Sequence, residues 1–117
     1  MVRKILMGDG RAALDAVRGG STARADLGTA VRYLLQLLAE KAPGNSVEVR
    51  VPPYGAVQVV EGPRHTRGTP PNVIETDAAT WIALATGEVS WAEVVDAGKV
   101  QASGTRADLI GLLPLRP

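Results

Sequence analysis

A change of hydrophobic period constrains this chain more than any other feature. From about Thr22 to Ala42, the residues Leu27, Val31, Leu34, Leu35 and Leu38 recur at steps of four, three, one and three. That spacing marks one face of a 3.6-residue helix. After Pro43-Gly44-Asn45 the period drops to two. Val47, Val49 and Val51 alternate with Glu48 and Arg50, which reads as a half-buried strand. An apolar helix stripe and an apolar strand face must each be buried, and packing one on the other buries both.

The remaining segments extend this pattern. A helix is expected over 9–18, with Asp9 as N-cap, Gly19-Gly20 as stop and Ala13, Leu14 and Val17 as its stripe. Pro52-Pro53-Tyr54-Gly55 is a turn, and Ala56 to Glu61 a strand with Val57 and Val59 on one face. The short connection makes these two strands an antiparallel hairpin. Arg64–Arg67 reads as a short edge strand, and Pro70-Pro71 as loop, because proline pairs do not sit in mid-sheet. Asn72 to Thr76 is a further strand.

A helix from Asp77 to Thr86 follows, capped by Thr76 or Asp77 and stopped by Gly87. Ser90-Trp91-Ala92-Glu93 has the spacing of a capping box, with Val89 and Val94 as its staple, and Gly98 ends that helix. Val100–Ser103 alternates as a last strand. Thr105-Arg106-Ala107-Asp108 opens an expected short helix with Leu109, Leu112 and Leu113, closed by Pro114. The expected fold class is α+β: a mostly antiparallel sheet with helices packed on one face.

Composition narrows the chemistry. The 117 residues suit a single domain over 1–117. The chain has no cysteine, so disulfides, thiolate metal sites and cysteine nucleophiles are excluded. A single histidine, His65, excludes a multi-histidine metal site. Thirteen basic and twelve acidic residues leave a net charge of +1, which supplies no field for nucleic acid. No apolar run approaches the ~20 residues of a membrane span or the ~7–15 of a secretory signal, so the expectation is a cytoplasmic protein.

Three stretches carry a resemblance. They are Tyr33-Leu34-Leu35-Gln36-Leu37-Leu38-Ala39-Glu40, then Val47 to Gln58, then Glu61-Gly62-Pro63-Arg64-His65-Thr66-Arg67-Gly68-Thr69-Pro70-Pro71-Asn72-Val73. With Trp81 to Gly87, Trp91 to Gly98 and Val100 to Gly104, they resemble the bacterial branch of the sterol carrier protein family over about residues 20–115. The chain is also similar to the C-terminal domain of mycothiol-dependent maleylpyruvate isomerases. The resemblance implies a sandwich with about five strands and promotes Arg64–Arg67 to one of them. It implies a cavity between sheet and helices for a lipid-like apolar ligand, with no cofactor and no catalysis.

The candidate cavity residues are Leu34, Leu38, Val49, Val57, Val59, Trp81, Trp91, Leu109, Leu112 and Leu113. For Trp81 and Trp91 two readings stand, cavity wall or core anchor, since each can bury ~150–250 Å². The C-terminal leucines could form an apolar helix that lifts from a cavity. Arg64, His65 and Arg67 form a candidate contact for an anion or a protein partner. The competing reading is an edge strand whose charges block aggregation. His65 has no catalytic companions, because Ser21, Ser46, Ser90 and Ser103 have turn or cap roles and no nucleophile elbow is present. Asp77, Glu93 and Asp108 sit where helix N-termini favour negative charge.

The sequence therefore predicts a non-catalytic carrier of an apolar or lipid-like ligand, with no cofactor, metal, nucleic-acid partner or transmembrane segment. The alternative is an accessory or protein-interaction domain for a thiol-cofactor-dependent enzyme, using Arg64–Arg67 as its contact surface.

Overall fold

The long leucine stripe builds the helix that organises the molecule. The computed structural model describes residues 3–62 and 72–117. Its elements run α1 (Met7–Arg18), α2 (Arg24–Lys41), β1 (Val47–Val51), β2 (Gly55–Val59), β3 (Asn72–Thr76), α3 (Ala78–Thr86), α4 (Trp91–Asp96) and β4 (Val100–Ser103). Val31, Leu34, Leu35 and Leu38 of α2 are buried and meet Val47, Val49 and Val51 of β1 in one continuous core, with Leu27 packed at its margin. The charged residues between the β1 valines, Glu48 and Arg50, face the other way and pair with each other.

Four strands form the sheet among the described residues, in the order β2-β1-β3-β4. β1 and β2 pair antiparallel, with Val49 opposite Val57. β1 and β3 run parallel, with Val49 beside Ile74. β3 and β4 are antiparallel, with Ile74 opposite Ala102. Two of the three pairings are antiparallel, as expected, but the central one is parallel, so the sheet is mixed, and it has four strands among the described residues where about five were expected. The hairpin rule sees only strands that are neighbours in sequence, whereas the central β1–β3 pair joins strands separated by β2. The strand expected at Arg64–Arg67 and the loop at Pro70-Pro71 lie outside the described residues.

A polar node fixes the start of that parallel pair. Asn72 donates from Nδ2 to the Ser46 carbonyl at 2.8 Å. Its Oδ1 accepts the Arg106 N–H at 2.9 Å. Ser46 and Asn72 are both buried, so these bonds satisfy groups that would otherwise be costly. Two helices also approach closely where glycine allows it. A Cβ on Gly10 of α1 would stand 2.3–2.5 Å from the Tyr33 ring of α2, so only a residue without a side chain fits there.

Caps set most helix ends as the sequence predicts. Asp77 accepts the Thr80 N–H at 2.8 Å, and Gly87 ends α3 with φ +85°. Ser90 and Glu93 form both bonds of the capping box at the start of α4. Two expectations fail. Asp9 does not cap α1, which begins two residues earlier at Met7 without a side-chain cap. Asp9 instead lies in its first turn, where the helix dipole favours a carboxylate. The C-terminal helix is absent: residues 104–117 run as irregular chain with turns at 105–106 and 110–112. Gly111 at φ +85° and Pro114 leave too few residues between breakers to repay helix nucleation. Leu109 and Leu115 anchor the segment instead by burial, and the Leu115 N–H donates to the Ala85 carbonyl at 2.8 Å.

Candidate functional site

The packing of α2 on the hairpin leaves a cleft at the β2 edge of the sheet. Arg32 and Gln36 stand one turn apart on α2, so both point toward that edge beside buried Leu35. The chain before α1 passes across them. The Ile5 N–H donates to Gln36 Oε1 at 2.8 Å. Gln36 Nε2 donates back to the Ile5 carbonyl at 3.0 Å. This two-bond clamp holds Arg3, Lys4 and Ile5 along the helix.

On the other side, Arg32 Nη1 donates to the Tyr54 carbonyl at 3.4 Å. A Cβ on Gly55 would come within 3.3 Å of the Arg32 Cγ and 3.4 Å of the Leu35 Cδ1, so this glycine lets the turn approach α2. The space enclosed is about 580 Å³, lined by Ile5, Leu35, Tyr54, Val57 and the residues just described. Its size falls within the ~300–1,000 Å³ of small-molecule sites. Its floor is apolar. The charged side chains that line it are Arg3, Lys4 and Arg32, all cations. Lys4 also pairs with Glu40 at 3.1 Å, with both side chains well exposed.

The ten cavity residues expected from sequence fall into separate places. Leu34, Leu38, Val49, Val59 and Trp81 are packed in the core. The Trp81 indole N–H donates to the Val31 carbonyl at 3.3 Å, tying α3 to the middle of α2. Val57 lines the cleft. Leu109, Trp91 and Leu113 line a second groove beside α3 and α4, and Leu112 lines a third with Val60 and Arg106. Arg64, His65 and Arg67 lie outside the described residues. Sequence reasoning missed Ile5, Arg32, Gln36 and Tyr54. The available signal was the four-residue step from Arg32 to Gln36 beside the leucine stripe.

Among the described residues, no three His, Asp or Glu side chains gather as a metal ion would require. None of the described helices is long and apolar enough to cross a membrane. No curated protein matches the chain. The model of one family, described as the bacterial SCP ortholog, matches residues 23–115. That span takes in α2, the hairpin, β3, both later helices and β4, so the chain belongs to the bacterial branch of the sterol carrier protein family.

Proposed function

We propose that the protein binds and carries a lipid-like ligand, without catalysis, in the cleft between α2 and the β2 edge. One observation carries this reading: an apolar floor of Ile5, Leu35 and Val57 meets a rim whose charges are all positive. An acyl or ring body gains from burial against the floor. An anionic end gains charge-assisted bonds to Arg32, Lys4 or Arg3. Leu34, Leu38, Val49, Val59 and Trp81 form the packed interior behind this wall rather than its surface. Membership of a carrier-type family supports the same reading.

The test titrates the protein with a fluorescent fatty acyl probe and a fluorescent sterol. Saturable acyl binding in the micromolar range, about −8 kcal/mol, is expected. Arg32→Ala combined with Lys4→Ala should weaken the acyl probe about fivefold and leave an uncharged probe unchanged, since exposed charge pairs each contribute little. Filling the floor with Val57→Trp should weaken both. Absence of saturable binding by either probe, or acyl binding indifferent to all three substitutions, overturns the assignment.

A further inference from the structure

A second groove, of about 530 Å³, lies between the end of α3, the start of α4 and the C-terminal segment. Leu84 and Leu109 are buried beneath it. Val89, Trp91 and Leu113 are half-buried along its sides, and Ile110 on its rim is 72% exposed. A half-buried indole beside an exposed isoleucine is apolar surface that a partner could cover, and Trp is enriched at the energetic centres of interfaces.

The charge of this groove is the reverse of the cleft's. Its ionisable residues are Glu88 and Glu93, and neither forms a salt bridge among the described residues. Glu93 uses one oxygen to accept the Ser90 N–H at 3.1 Å, which leaves its other oxygen free to face a cation. The imbalance extends further: residues 72–117 hold six acidic and three basic side chains, whereas residues 1–50 hold five and eight. An anionic lipid end suited to the cleft would be repelled here. The groove is also built in advance. The Gly87 cap and the Leu115–Ala85 bond hold its two sides together, so little ordering is needed on binding.

We propose that this groove docks a basic amphipathic helix of a partner protein. Apolar side chains at i and i+4 would enter between Trp91 and Leu113, and flanking Lys or Arg side chains would meet Glu88 and Glu93. The proposal is independent of ligand carriage, because it uses none of the cleft residues.

The test titrates the full chain with a synthetic helix of leucine and lysine, with leucines at i, i+3, i+4 and i+7. The same helix with glutamate in place of lysine is the comparison. Trp81 is buried in the core, so changes in emission and in acrylamide quenching report Trp91. The lysine helix should saturate the signal and shield Trp91, and the glutamate helix should not. Glu88→Lys combined with Glu93→Gln should weaken the lysine helix about fivefold, with binding lost progressively as salt rises. Glutamine at that position preserves the capping box, and an unchanged urea midpoint confirms it. Equal binding of both helices, unaltered binding by the double variant, or no saturation overturns the proposal. So does concentration-dependent self-association in sedimentation that Ile110→Asp abolishes, since the occupant would then be a second copy of this chain. The acyl probe should bind the double variant as it binds the parent, which separates this test from that of the cleft.

Discussion

Asn72 satisfies two backbone groups at once, the Ser46 carbonyl and the Arg106 N–H. It does so while buried, at the point where β1 and β3 begin to run side by side. Asn72→Ala strands both groups, at about 1–3 kcal/mol for each that water cannot reach. A fall in Tm of about 10 °C is expected in a thermal melt; a shift within a degree or two would show that water replaces both bonds. Sequence alone made Asn72 the first residue of a strand and nothing more. Its side-chain partners lie 26 and 34 residues away, and no local pattern encodes contacts at that separation.

Elements with local causes form where local chemistry puts them. α4 has only six residues, too short to persist by propensity, and depends on its cap and on buried Val94. Ser90→Ala should cost about 1 kcal/mol, read as a lower urea midpoint with an unchanged slope. Ser90→Thr should recover most of that loss, and an alanine variant as stable as the parent would show the cap to be dispensable. The box, the Asp77 cap and the Gly87 stop were all legible, because each rests on residues within one turn of one another. The C-terminal helix was misread for the opposite reason. Its leucines have helical spacing, but their burial against α3 and the core favours a tethered turn segment over a short helix between Gly104 and Pro114.

At the scale of the molecule, protection should follow the number of paired neighbours. β1 is bonded on both sides, to β2 and to β3, so the Val49 amide should exchange only through global unfolding. The Leu112 N–H donates to the Leu109 carbonyl, at 3.1 Å within a turn, and should exchange through local opening at rates far above those of β1. Uniform protection across residues 104–117 in a hydrogen-exchange experiment would contradict this. The same scale separates two surfaces of opposite charge, the cationic cleft at the β2 edge and the acidic groove beside α4. The near-neutral whole conceals both, since net charge sums over positions and carries no geometry.

The sequence by itself determined what depends on near neighbours: the α2 stripe, the β1–β2 hairpin, the two side-chain caps and the family to which the chain belongs. Each follows from residues a few positions apart, or from the order of motifs along the chain. Tertiary structure decided the parallel β1–β3 pairing, the burial of five expected cavity residues in the core, and the meeting of Ile5, Arg32, Gln36 and Tyr54 around one cleft. Those outcomes depend on which buried faces fit together, and the space left between them is a property of the packed molecule that no single segment carries.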